Sequence, residues 1–130
     1  MLKKTITYTD FNGDKRTEDF YFNFTKAELV ELEVGTEGGL GEKIQKAVDA
    51  KNQLEIMTIF KDFIRKSYGI KSEDGLRFEK SEEISNAFMQ TEAYSELFME
   101  LCTNEEAAAS FVNAIIPNNV NGIPNVKSDK

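Results

Sequence analysis

Five times along this 130-residue chain a Ser, Thr or Asn stands within three residues of a Glu and just ahead of apolar residues that recur three and four apart. The five are Thr25, Asn52, Ser81, Thr91 and Thr103. Such a side chain accepts a hydrogen bond from an otherwise unpaired N–H in a helix's first turn. A carboxylate placed there meets the positive end of the helix dipole, which stabilises it by about 0.3–1 kcal/mol. Signals spaced this closely leave room only for short helices, so the fold must be built largely from them.

Each signal opens onto a readable apolar face. Thr25, Lys26, Ala27 and Glu28 fit a capping box, with Phe24 placed for a hydrophobic staple; the helix carries Ala27, Leu29, Val30 and Leu32 and ends near Gly35. A helix over residues 41–50 turns Ile44, Ala47 and Val48 inward. Asn52, with Glu55 three residues later, starts the strongest helix: Leu54, Met57, Phe60, Phe63 and Ile64 share a face that Ile56 and Ile59 widen, so it is central. Gly69 is its expected terminator after Tyr68. Ser81 caps a helix with Ile84, Ala87, Phe88 and Met89; Thr91 caps one with Tyr94, Leu97, Phe98 and Leu101. Thr103, with Glu106 completing a box, caps the last, which carries Ala107, Ala108, Phe111, Val112, Ile115 and Ile116 and stops at Pro117. Residues 118–130 are Asn-rich and aperiodic, which reads as a flexible tail.

The N-terminus follows a different period. KKTITYTD and RTEDFYFNF are rich in β-branched and aromatic residues and flank Asn12 and Gly13, a hairpin signal. A two-residue loop would set Ile6 against Asp19, on the wrong face. Pairing Ile6 with Phe20 requires an odd-numbered loop or a bulge. Two strands alone are marginal, so the Phe face must pack on helices. The expected fold is α+β and mostly α: a hairpin over residues 1–24 packed on about six short helices, in one domain spanning 1–117. The segment after the central helix, KSEDGLRFEK, reads as a turn-rich connection anchored by Phe78.

Composition narrows the chemistry. The chain has no His and one cysteine, Cys102. A Ser-His-Asp or Cys-His site is therefore impossible, and so is a zinc site of Cys and His. Cys102, beside Leu101 on a helical pattern, reads as a small buried hydrophobe. The glycine-rich GTEGGLGEK lacks the Gly-Lys-Ser/Thr ending of a phosphate loop. Asp10, Asp14, Glu73 and Asp74 read as turn formers rather than an acid/base pair, and DFNGDKRTED misses the EF-hand spacing. A Met and Phe stripe at helical spacing is core rather than a cofactor site. No catalytic, cofactor-binding or metal-ligating set emerges. No apolar run reaches the roughly 20 residues that span a bilayer, and MLKKTITYTD does not read as a signal peptide, so the expectation is a cytoplasmic protein.

The net charge is −7, and residues 81–126 hold seven Glu, no Asp, no Lys and no Arg. Elsewhere 16 basic residues balance 16 acidic ones, so the whole imbalance sits in that stretch. Nucleic-acid binding is disfavoured, because cations are mixed with anions and the net charge repels phosphate. A DNA mimic is disfavoured too, because most of these Glu occupy first turns of helices. Glu96 and Glu100, one helical turn apart, remain as outward charges. What is left is either a merely solvated acidic face or a groove that receives a basic or amphipathic helix of a partner.

The blocks TEDFYFNFTKAELVELE, FIRKSYGIKSEDGLRFEKSEEISNAFMQTEAYSELFMEL and AAASFVNAIIP, in that order, resemble the tail assembly chaperones of long-tailed phages and prophages of Gram-positive bacteria, over residues 1–117. The resemblance implies a non-enzymatic protein that coats the long, helical tape measure protein while the tail tube polymerises. It implies a place in the host bacterial cytoplasm, loss from the finished virion, self-association, and a longer form made by ribosomal frameshifting. It implies no cofactor, no membrane and no nucleic acid. The partner surface expected here is the last two helices: Phe98, Phe111, Val112, Ile115 and Ile116, with Glu96 and Glu100 tuning specificity. The competing reading of those apolar residues is ordinary core. The competing reading of the protein is a small acidic prophage regulator that binds a host protein.

Overall fold

In the computed structural model of the chain, residues 1–115 are described. The expected Pro117 stop and the tail 118–130 lie outside the described residues. The elements run β1 (Leu2–Thr9), β2 (Lys15–Phe22), α1 (Lys26–Gly35), α2 (Leu40–Asp49), α3 (Gln53–Ser67), β3 (Tyr68–Lys71), β4 (Phe78–Glu79), α4 (Glu82–Met89), α5 (Glu92–Thr103) and α6 (Glu105–Ile115). The fold is α+β and mostly α, as the helix signals imply.

The turn between β1 and β2 is organised by one carboxylate. Asp10 Oδ1 accepts the N–H groups of Asn12 and Asp14, both at 2.9 Å, and Gly13 supplies a φ of 88° that other residues adopt at a cost. The loop is odd-numbered, as expected, but Asp10 centres it on Asn12. Ile6 therefore faces Glu18 rather than Phe20, and Lys4 faces Phe20. Parity survives the shift: Ile6, Tyr8, Phe20 and Phe22 still share the inner face.

Two further strands are not expected from the sequence: β3 begins at Tyr68, where the end of the central helix is expected, and β4 lies within the expected turn-rich connection. The order is β1-β2-β3-β4, with every pair antiparallel. At the end of α3 the Asn23 N–H donates to the Ser67 carbonyl at 2.8 Å, and β3 leaves the helix directly beside β2. The helix ends before the expected stop, at Ser67 with Tyr68 as an extended C-cap, and Gly69 belongs to β3 rather than to a left-handed helix end. A Cβ there would lie 2.7 Å from the Phe78 ring and 2.9 Å from the Glu79 carbonyl oxygen. Its missing side chain is what lets β4 approach.

The core lies between the inner sheet face and the helices. Phe22, Phe24, Ile64, Leu97 and Ile115 are fully buried. Tyr68 stacks on Phe88 with ring centroids 4.3 Å apart, and Phe22 meets Phe111 and Phe88 edge-on at 5.3 and 5.8 Å. Such pairs add about 0.5–1.5 kcal/mol each beyond the area they bury.

Four caps stand where the sequence places them. Thr25 and Glu28 form the reciprocal box, while Asn52, Ser81 and Thr91 each accept an N–H from the first turn of α3, α4 and α5. The fifth moves by one residue. Thr103 completes α5, its hydroxyl donating to the Met99 carbonyl at 2.7 Å, and Asn104 Oδ1 instead accepts the Ala107 N–H at 3.0 Å. Asn is as good a cap as Thr, and the later position lets α5 keep another residue. On α2, Ala47 is buried and Ile44 half-buried, whereas the Val48 side chain lies outside the described residues. Ala87 of α4 is exposed rather than inward.

Candidate partner-binding surface

The residues that could have carried chemistry are occupied locally. Asp10 caps the hairpin turn and pairs with Arg16 Nε at 2.5 Å; that guanidinium, with the turn N–H groups, holds its carboxyl below the usual range. Asp74 accepts the Leu76 N–H at 3.0 Å and the Ser72 hydroxyl at 2.7 Å, which lowers it likewise. Cys102 is half-buried and free, and burial pushes its thiol up, away from the reactive thiolate. Among the described residues no group of three or more His, Cys, Asp or Glu is placed to hold a metal ion. No helix among them is long and apolar enough to cross a membrane.

A cleft of about 490 Å³ lies between α1, the end of α3 and the start of α4, with Glu28, Glu31, Glu82, Arg65, Lys66 and Lys80 around it. Its acids and bases balance. Lys80 is tied down by Glu28 Oε2 at 2.9 Å and the Asn23 carbonyl at 2.8 Å, over the rings of Phe24 and Phe78. Burial raises the Glu28 carboxyl, but the Thr25 N–H and the Lys80 ammonium outweigh it, and the net shift is downward. The cleft is a structural clamp between α1 and the strand-to-α4 connection.

The expected partner residues separate into three kinds. Phe111 and Ile115, at 3% and 0% exposure, are core; Phe111 abuts Phe22, and the Ile115 carbonyl accepts the Phe24 N–H at 3.1 Å. They face inward because α6 packs its one continuous apolar stripe against the sheet and α5. Phe98 and Val112 are half-buried against that core, with Phe98 5.7 Å from the Tyr94 ring. Glu96 is exposed, whereas Glu100 is bound to Lys4 of β1 at 3.1 Å rather than free. Ile116 lies outside the described residues. Five of the seven Glu of the acidic stretch stand in first turns of α4, α5 and α6.

Apolar side chains that do reach solvent are elsewhere. Leu54 and Met57, assigned to the inward face of α3, are 74% and 40% exposed; Met99 on α5 is 54% exposed. Only the second half of α3, with Ile59, Phe63 and Ile64, enters the core. The sequence held one signal of this: α3 carries more apolar residues than one core-facing stripe needs.

Exposed apolar side chains therefore stand on the helical faces of α3 and α5. Residues 1–126 match the model of the phage tail assembly chaperone family, and the chain belongs to that family. No curated protein and no solved structure matches it.

Proposed function

We propose that this tail assembly chaperone binds the tape measure protein of a long-tailed phage of a Gram-positive host and keeps it soluble while the tail tube assembles. The observation that carries this reading is the family match across residues 1–126. The exposed apolar side chains of α3 and α5 support it: a helical client with bare apolar stretches needs weak, repeated contacts, which Leu54, Met57 and Met99 can supply. Methionine adapts to irregular apolar partners. Phe98 and Val112, with Ile116, extend the contact set, and Glu96 tunes solubility and specificity. Phe111 and Ile115 support that surface from beneath. Several self-associated copies along one client gain avidity without any single strong contact. The protein acts non-enzymatically in the host cytoplasm and leaves before the virion is complete; residues 118–130 are where a longer form diverges.

Co-expression tests it. A tape measure fragment that precipitates alone should remain in the supernatant with this protein, and replacing Leu54 and Met57 with Ser should reduce that effect while leaving the unfolding transition in place. A fragment equally insoluble with and without the chaperone would sink the reading.

A further inference from the structure

We propose that β1 is a self-association edge, through which two copies join antiparallel and extend the sheet. This deepens the self-association in the reading above and rests on its own observations.

β1 is eight residues long and ends the sheet on one side. The phase of its ladder is set at the turn. The Asp10 N–H donates to the Asp14 carbonyl at 2.8 Å, so the register pairs that exchange backbone bonds are the even ones, Tyr8 with Arg16, Ile6 with Glu18 and Lys4 with Phe20. The close odd pairs agree, since Thr7 and Thr17 hydroxyls lie 3.0 Å apart and Thr5 reaches Asp19 at 2.6 Å. The N–H and C=O groups of Lys3, Thr5, Thr7 and Thr9 therefore point away from β2. Among the described residues nothing hydrogen-bonds to them. No proline or bulge blunts the strand, although edges of this length are usually protected.

A second β1 complements this edge in one arrangement. With two copies antiparallel about Ile6, Lys3 faces Thr9 of the other copy, Thr5 faces Thr7, and every outward residue finds a partner. On the inner side Ile6 meets Ile6, and Lys4 meets Tyr8. The lysines, the only charges on β1, never face each other. In a parallel pair they would stack, and like charges opposite one another are unfavourable. Glu100 already neutralises Lys4 at 3.1 Å. The exposed Thr side chains lie on the outer face, away from the helices, so the joined sheet keeps one polar and one packed face.

Sedimentation equilibrium over a wide concentration range tests it with two double variants. T5K/T7K sets ammonium groups against each other across the interface and should remain monomeric where the wild type doubles in mass. T5K/T7E sets opposite charges in the same positions and should recover the dimer. Both substitutions fall on exposed outer-face positions, and each variant's unfolding transition is recorded to show that the hairpin is intact. Hydrogen exchange adds an independent readout: the amides of residues 3, 5, 7 and 9 should gain protection as concentration rises. The inference is overturned if the wild type stays monomeric, if T5K/T7K associates as well as the wild type, or if T5K/T7E fails to recover. It is also overturned if those amides are already protected at concentrations where sedimentation shows a monomer. Because client solubility is scored separately, a monomeric but active chaperone would refute this inference and leave client binding standing without its self-associated copies.

Discussion

Gly69→Ala is the sharpest test of how the second half of the sheet closes. The new methyl would sit 2.7 Å from a Phe78 ring carbon and 2.9 Å from the Glu79 carbonyl oxygen, where unstrained carbon contacts lie at about 3.5–4.0 Å. The ring could swing aside, but the oxygen belongs to the strand that pairs with β3 and moves only if that pairing moves. Overpacking of this kind costs about 1–3 kcal/mol. Loss of glycine's freedom in the unfolded chain returns about 0.4–1 kcal/mol. The expected net destabilisation is therefore up to about 2.6 kcal/mol, with a midpoint near about 1.3 kcal/mol, against the roughly 5–15 kcal/mol of a typical domain. Urea unfolding should show a lower midpoint with an unchanged slope. Gly35→Ala is the matched control, because that glycine closes α1 with nothing within 4 Å of the added carbon; it should be neutral or stabilising by up to about 1 kcal/mol. If Gly69→Ala proves as stable as the control, the close approach of β4 to Gly69 is wrong.

Other outcomes follow from the same geometry. Asn104→Ala should cost about 0.5–2 kcal/mol through loss of the α6 cap, and Thr103→Ala less than about 0.5 kcal/mol; the reverse order in thermal unfolding would restore the cap to Thr103. Ile115→Ala and Phe111→Ala should destabilise by about 2–5 and 3–5 kcal/mol, since both side chains are buried; full stability with lost client binding would return them to the surface. Asp10, Asp74 and Glu28 all titrate below their ordinary values in the folded chain. Each therefore stabilises the fold above the unfolded value near about 4 and loses that contribution as pH falls through the lower folded one. Asp10→Asn should be less stable than the wild type at neutral pH, with the gap closing as pH falls below the unfolded carboxylate value near about 4; a gap of constant size would contradict the Arg16 pairing.

Much of this architecture is legible because caps are local. Thr25, Asn52, Ser81 and Thr91 act within their own first turns, so a few residues of sequence suffice to place them. Asp10 shows the limit, since its two turn bonds shift the hairpin register in a way that composition alone does not display. β3 and β4 were hidden because their strand character comes from β2, some 45 residues away in the chain, and from the space left by Gly69. Which apolar residues stay exposed was the least legible part. Helical periodicity shows that a residue lies on an apolar face but not whether anything covers that face. Phe111 and Ile115 are covered, and Leu54 and Met57, with equally good spacing, are not.

The central claim is that exposed helical side chains, rather than a catalytic group or the acidic stretch, engage a helical tail protein. Isothermal titration of the purified chaperone with a soluble tape measure segment measures this directly. The account predicts binding with a negative heat-capacity change, the mark of apolar burial, weak dependence on salt, and a severalfold loss of affinity in the Leu54→Ser, Met57→Ser double variant. No binding, or binding that survives that variant and disappears as salt is raised, would contradict it.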